Sequence, residues 1–248
     1  MPKTGKCAIC GQRKQLSYDH IPPKCCGNNG ESYYISFTPE YLGNGLRMTK
    51  RKHSQNGIKF QTICSECNNG LGGKYDEDLG AFRQFVIDAI NGRKPEKGFD
   101  LNNVIKAVVG HLLAASEFDS SLPARAMRDY YFDKNEKLLD KYSLLVCFYP
   151  YQNSIFILKN YVPMVFGIND PMPEGMLSSF YFFPFAFILC DKQKLPFGND
   201  LFETLRIPSQ LKFMLNDWGR KFPTWPAIVD NNHAFIASAA GKDSVFKN

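Results

Sequence analysis

Two pairs of cysteines constrain the fold of this chain more than any other sequence feature. One pair lies in CAIC, residues 7–10, and the other in CSEC, residues 64–67. A spacing of two residues lets both thiolates of a pair face one metal ion, and two pairs complete the tetrahedral four-sulfur set of structural zinc. The sequence therefore predicts a zinc site that closes residues 11–63 into a loop. The predicted zinc ligands are Cys7, Cys10, Cys64 and Cys67.

The composition is that of an ordinary soluble protein, with 44% apolar and 22% charged residues. No apolar run follows the N-terminal MPKTGKC, and the longest uncharged apolar stretch, residues 176–190, is too short to span a bilayer. We therefore expect a cytoplasmic protein without membrane contact. Thiols stay reduced in that compartment, which favours metal binding over disulfides for the paired cysteines.

Positive charge is concentrated near the N-terminus. Residues 1–62 contain ten Lys and Arg but three acidic residues, which gives +7, whereas the whole chain carries +6. Such a patch attracts polyanions and provides salt-sensitive, sequence-independent affinity for nucleic acid. A solvated loop is the alternative interpretation. The candidate nucleic-acid contacts, all within RMTKRKH, are Arg47, Lys50, Arg51 and Lys52.

The sequence pattern changes twice along the chain, which predicts an α+β fold. Residues 1–78 show little periodicity, whereas apolar spacing predicts three helices and the later residues are rich in β-branched and aromatic side chains. The predicted helices cover residues 79–90, 101–118 and 122–132. The stretch SSFYFFPFAFIL predicts one buried strand, or a pair of strands interrupted at Pro184. We predict a zinc-stapled N-terminal domain, residues 1–92, and a helical then β-rich region, residues 93–248.

An Asp–His pair lies inside the cysteine loop, in the stretch LSYDHIPPK. Strand-like alternation before the pair predicts that Asp19 and His20 project in different directions, and two prolines keep the following chain extended. Zinc closure would bring Asn68, which directly follows Cys67, back toward this pair. Carboxylate and amide oxygens suit Mg²⁺, and an imidazole that is not a ligand can take a proton from water. Together these groups are suited to phosphodiester hydrolysis.

Three of the polar residues in and after the second cysteine pair also have structural interpretations. Asn68 could cap the helix that the sequence predicts near KYDEDLGAF. Asp76 could orient the site or simply occupy the first turn of that helix, where a negative charge is favourable. His111 lies on a mainly apolar predicted helix and is interpreted as a packing histidine.

These motifs, in this order, resemble the HNH superfamily of ββα-metal nucleases, in the version stapled by a four-cysteine zinc site. The resemblance covers about residues 7–80 and includes the two cysteine pairs, DHIP and CNNGLGGKYDED. It implies a ββα-metal domain in which His20 is the general base and Asp19 and Asn68 hold a catalytic Mg²⁺ or Mn²⁺. The family's middle asparagine, which orients the histidine, has Asn56 as its nearest candidate. Gln61 and His53 are possible substitutes.

The leading expectation is a metal-dependent HNH endonuclease that hydrolyses DNA and leaves 5′-phosphate and 3′-hydroxyl ends. The resemblance implies a role in bacterial or phage restriction or antiviral (anti-phage) defence. Cleavage could require a protein partner such as an ATPase subunit, and the C-terminal region could recognise substrate, sense a ligand or form a homo-oligomer. The alternative is a zinc-ribbon nucleic-acid-binding or protein-interaction module that has no catalytic activity.

Overall fold

The computed structural model describes most of the N-terminal half of the chain and several strands of the C-terminal half. The described residues are 3–37, 52–134, 137–149, 155–161, 177–192, 199–201 and 233–238. The strands of the first half are Thr4–Lys6 (β1), Arg13–His20 (β2), Ser32–Phe37 (β3), Lys52–Ser54 (β4) and Lys59–Cys64 (β5). The helices are Ser65–Gly70 (α1), Asp76–Ile90 (α2), Leu101–Ala114 (α3), Leu122–Tyr131 (α4) and Lys137–Lys141 (α5).

Six further strands complete the described architecture. They are Tyr142–Phe148 (β6), Ile155–Tyr161 (β7), Leu177–Phe182 (β8), Phe185–Asp191 (β9), Asn199–Asp200 (β10) and His233–Ser238 (β11). A 3₁₀ turn covers Lys24–Cys26, and a π-helical segment, Leu71–Tyr75, joins α1 to α2. The predicted mixture of helices and strands is confirmed, and the predicted helices 79–90, 101–118 and 122–132 correspond to α2, α3 and α4.

The strands form a small antiparallel sheet and a larger mixed one. The small sheet has the order β1-β2-β5, and the larger has the order β10-β6-β9-β8-β7-β11-β3-β4. In the larger sheet β11 runs parallel to both of its neighbours, β3 and β7, while the other pairs are antiparallel. Because β3 and β4 lie between β2 and β5 in sequence, the cysteine loop contributes two strands to the sheet of the C-terminal half.

Helix formation after the second cysteine pair begins earlier than the sequence predicts. Gly70, Gly72 and Gly73 each disfavour a helix, yet the chain is helical from Ser65 onward. Leu71 is 0% exposed and lies in the apolar core, so burial in this segment offsets the low helix propensity of the glycines.

Helix α3 passes through the centre of the core and connects the two sheets. Nearly all its residues are buried, and it packs against α2, α4, β5 and β8. The π-helical segment lies close to α3 at Gly110, where a Cβ atom would be 2.6 Å from Cδ1 of Leu71. Any larger residue at position 110 would therefore require the Leu71 side chain or α3 to shift. No helix in the described ranges has the length and apolar character needed to cross a bilayer.

The aromatic stretch around Pro184 forms two buried strands, as one of the two sequence interpretations predicted. β8 and β9 pair in antiparallel register from Leu177↔Cys190 to Phe182↔Phe185, with Pro184 in the tight turn between them. The side chains of Phe180, Phe182, Phe185 and Phe187 are almost completely buried. These rings are packed in the core and are not available to stack on nucleic-acid bases. The stretch SQLKFMLNDWG, whose sequence pattern indicates a short helix, lies outside the described residues.

Candidate metal centre and catalytic pocket

The four predicted cysteines converge on one point at the edge of the small sheet. Their sulfur atoms all lie within 4.8 Å of one another, and the Sγ atoms of Cys10 and Cys64 are 3.9 Å apart. Tetrahedral zinc with Zn–S bonds of about 2.3 Å places its sulfurs about 3.8 Å apart, so this set fits an ion such as zinc. Within the described ranges no other group of three or more Cys, His, Asp or Glu brings its ligand atoms this close together.

The local backbone favours the thiolate form of one of these cysteines, Cys7. Sγ of Cys7 accepts hydrogen bonds from the amides of Cys10, at 3.5 Å, and Cys64, at 3.3 Å. A hydrogen bond from the Cys67 thiol and the two amides lower the pKa of Cys7, while burial raises it. The net effect is a pKa of about 4. The same hydrogen bond raises the pKa of Cys67, which keeps its proton as the donor. Metal ligation would displace that proton, as in other thiolate sites.

Asp19 and His20 end strand β2 and project differently, as predicted. Between Ser17 and Asp19 the pairing of β2 with β5 shifts by one residue, an irregularity that re-aims side chains at the end of a strand. Asp19 is 6% exposed and points toward α3, whereas His20 is partly exposed. A buried carboxylate beside an accessible imidazole is therefore built into the end of this strand.

The imidazole of His20 has one nitrogen fixed by the backbone. Nε2 lies 3.1 Å from the carbonyl oxygen of Asn56, and because a carbonyl only accepts, Nε2 carries the hydrogen. This leaves Nδ1 of the neutral ring as a base. Burial, together with the nearby positive charges of Lys24 and Lys59, lowers the pKa of His20 below its ordinary value and favours the neutral form near pH 7.

A buried asparagine that the sequence analysis did not single out holds the loop against His20. Nδ2 of Asn28 donates to the carbonyl oxygens of Pro22, at 2.7 Å, and Ile58, at 2.9 Å, and its Oδ1 accepts from the amide of Ile58. Gly57, with φ of +66°, lies against the backbone of Asn28. A Cβ atom at position 57 would be 2.2 Å from the carbonyl oxygen of Asn28, so only glycine fits there. This packing positions the neighbouring carbonyl of Asn56.

Behind the strand, a fully buried histidine lies between two carboxylates. Nε2 of His111, on α3, is 2.8 Å from Oδ1 of Asp76, and its Nδ1 is 3.4 Å from Oδ2 of Asp19. Burial lowers the pKa of His111, but the charge of Asp76 and the interaction with Asp19 outweigh it and raise the pKa to about 10. His111 is buried in the core, as the packing interpretation predicted, but that interpretation did not include its polar contacts.

Asp19, His20 and Asp76 line a single open pocket. Its volume is about 410 Å³, which is enough for a hydrated divalent ion and a phosphate group. The other lining residues are Pro23, Lys24, Cys25, Gly72 and Glu77. The pocket thus contains two largely buried carboxylates, one imidazole and one lysine.

The remaining predicted site residues have varied positions. Asn68 lies inside α1, so it is not the N-terminal cap of α2, and its Nδ2 donates to Oγ of Ser17, at 3.1 Å, and the carbonyl of Tyr18, at 2.9 Å. Asn56 approaches His20 through its carbonyl oxygen, and its side chain is exposed. Lys52 begins β4. Arg47, Lys50 and Arg51 lie outside the described residues.

Comparison of the whole chain with known proteins gives no relative from which a function could be transferred. No family model, no curated protein and no solved structure matches it. The interpretation of the site therefore depends on its own geometry and chemistry.

The raised pKa of His111 predicts a pH dependence of stability in buffer without added divalent ions. The folded state binds the second imidazole proton of His111 more tightly than the unfolded state does. This proton therefore stabilises the folded state fully below the ordinary pKa of 6.5, and the stabilisation is lost as pH rises toward about 10. The free energy of unfolding should fall by up to about 1.4 kcal/mol per pH unit over this window. Urea titrations of wild type and His111→Gln should show a flatter dependence in the variant. If His53→Gln, which replaces an exposed histidine, flattened the pH dependence equally, that dependence could not be assigned to His111.

Proposed function

We propose that this chain is a metal-dependent endonuclease of the HNH type that hydrolyses DNA phosphodiester bonds. The observation that carries the proposal is the pairing of buried Asp19 with accessible His20 at one pocket, beside the four-cysteine cluster. The order of elements, β2 and β5 followed by α1, is the strand-strand-helix order that a ββα-metal site requires.

The carboxylate of Asp19 is suited to hold a divalent ion. Its Oδ2 faces Nδ1 of His111 at 3.4 Å, and because Asp19 also lines the pocket, its Oδ1 is the oxygen that we assign to the ion. Mg²⁺ and Mn²⁺ favour such oxygen ligands. An ion bound there would stabilise the negative charge that develops on the phosphate and on the leaving 3′ oxygen.

His20 is suited to activate the attacking water. With its Nε2 hydrogen donated to the carbonyl of Asn56, Nδ1 is free to accept the proton of a water molecule in the pocket. Its lowered pKa keeps this nitrogen unprotonated at neutral pH. The fixed tautomer would serve the purpose that a middle asparagine side chain serves in the family that the sequence resembles.

The surroundings of the pocket favour a polyanionic substrate with bases. Lys24 lines the pocket and Lys59 is the cross-strand partner of His20, so two cations lie near the imidazole that we assign as the base. Tyr18, adjacent to Asp19, is 63% exposed, which is unusual for a large aromatic side chain in a strand. Exposed rings of this kind stack on nucleic-acid bases.

A plasmid assay tests the proposal. Zinc-loaded wild-type protein with Mg²⁺ or Mn²⁺ should convert supercoiled plasmid into nicked and linear forms with ligatable 5′-phosphate ends, and should be inactive without added ion. An Asp19→Ala preparation purified in the same way controls for contaminating nuclease. Equal DNA binding by both proteins with no cleavage by either would instead support the zinc-ribbon binding module.

A further inference from the structure

We infer that Asp76 is a second carboxylate ligand of the catalytic metal site, and that His111 is the positioning residue that holds Asp76 and Asp19 at its two sides. The inference rests on the proposed function, since it concerns the same ion. It assigns to the active site two residues, one on α2 and one on α3, that the sequence motifs do not include as ligands.

The geometry of the imidazole fixes the two acids relative to each other. His111 is 0% exposed, and its two ring nitrogens, which flank Cε1 of a rigid ring, face Oδ1 of Asp76 and Oδ2 of Asp19. The ring therefore lies between the two oxygens that face it, and the buried helix α3 holds it there. The remaining oxygens, Oδ2 of Asp76 and Oδ1 of Asp19, are the ones that we assign to a shared ion.

Each carboxylate retains capacity for a cation. Asp19 directs Oδ2 toward His111 and lines the pocket, so Oδ1 is the oxygen that remains for an ion. Oδ1 of Asp76 is hydrogen-bonded to His111. Its Oδ2 faces Gly72, and a Cβ atom added to that glycine would be 3.9 Å from this oxygen. Both acids and Gly72 line the same pocket. Mg²⁺ is commonly held by one or two carboxylates and keeps several waters, so two such ligands are sufficient.

Asn68, the ligand implied by the family resemblance, is used differently here. Its amide nitrogen fastens α1 to Ser17 and Tyr18 of β2, and it is not among the described residues that line the pocket. Asp76 therefore has the better position for a second protein ligand.

Mn²⁺ binding to the zinc-loaded full-length chain tests the inference without relying on catalysis. Electron paramagnetic resonance should show Mn²⁺ affinity at least about tenfold weaker in Asp76→Asn than in wild type, the size of effect seen when groups that orient or complete a metal site are lost. Glu77→Gln is the matched control, because it removes the same charge from the same pocket wall at an exposed residue paired with Lys97. Equal losses in both variants would mean a general charge effect and would overturn the inference.

His111→Gln tests the positioning role separately. Glutamine can donate hydrogen bonds but does not reproduce the two-sided ring, so we expect Mn²⁺ affinity to fall by about 10–100-fold with zinc content unchanged. A purely structural histidine would lower the melting temperature and leave the Mn²⁺ affinity of the folded protein at the wild-type value. That result would refute the positioning role.

A Ca²⁺-soaked crystal of the wild-type protein gives an answer that does not depend on variants folding. We expect one ion within about 2.0–2.6 Å of oxygens from both Asp19 and Asp76. An ion held by Asp19 and Asn68, with Asp76 outside this range, would overturn the inference while leaving the proposed function intact. Wild-type protein that neither binds an ion in the pocket nor cleaves DNA would refute both.

Discussion

Replacing His20 by alanine should lower the rate of Mg²⁺-dependent plasmid nicking by about 10²–10⁴-fold, the usual contribution of a general base. In the proposed mechanism Nδ1 of this ring is the base of the pocket, and the ring is held by the hydrogen bond between Nε2 and the carbonyl of Asn56. Zinc content and DNA affinity should remain close to wild type, because His20 is partly exposed and is not a predicted zinc ligand.

Asn56→Ala is the informative control for this prediction. Because Asn56 contacts the ring through its backbone carbonyl and its side chain is exposed, nicking should stay within a factor of about two of wild type, as for other surface substitutions. A large loss in Asn56→Ala would show that the side chain orients His20, as in the family that the sequence resembles. Unchanged nicking in His20→Ala would remove His20 from the catalytic mechanism.

The pH profile of nicking offers an independent measure of the same residue. A base works only when unprotonated, so activity should decline as pH falls through the pKa of His20. Since burial and the neighbouring lysines lower that pKa, the acidic midpoint for wild type should lie below the ordinary value of 6.5. A midpoint above 6.5 would contradict the assigned environment.

The part of the site that local sequence spacing determines could be predicted. Two residues between cysteines fix each pair, and four thiolates have few uses other than one metal ion, so convergence of Cys7 and Cys64 across the chain was foreseeable. The same is true of the Asp19–His20 strand end, because alternation and the following prolines are local features.

The contacts of His111 could not be predicted from spacing. It lies on a helix whose other central residues are mostly apolar. Its partners, Asp19 and Asp76, are distant in sequence and meet it only because α3 packs against both the small sheet and α2. The available signal was chemical: a histidine on an apolar helix must find polar partners when it is buried.

The larger sheet shows a similar limit of sequence reasoning. β3, in the cysteine loop, pairs in parallel with β11, near the other end of the chain. A strand pattern indicates which residues can pair but not which distant strand they join. The helical state of Gly70, Gly72 and Gly73 also depends on tertiary packing, since local propensity alone favours a loop there.

Loss of the ion that we predict at the four cysteines should have the largest effect on stability. Cys64→Ser should reduce zinc from one ion per chain to a small fraction, because Cys64 is 1% exposed at the junction of β5 and α1 and supplies one of the four sulfurs. Structural zinc contributes about 10–16 kcal/mol in finger peptides, comparable to the whole stability of a domain at about 5–15 kcal/mol. We therefore expect the melting temperature to fall by about 10 °C or more, with loss of nicking.

Cys190→Ser is the matched control, because it makes the same change of sulfur to oxygen at a buried thiol outside the cluster. Cys190 is 4% exposed in β9, and a serine there could still donate to the carbonyl of Ser143, as the thiol does. This variant should keep its zinc, measured by mass spectrometry, and most of its thermal stability. If Cys64→Ser kept a full zinc ion and the wild-type melting temperature, the four sulfurs would not be a structural metal site. The pocket depends on the proximity of β2 to α1, because the strand that ends in Asp19 and His20 is held against the helix that follows Cys64.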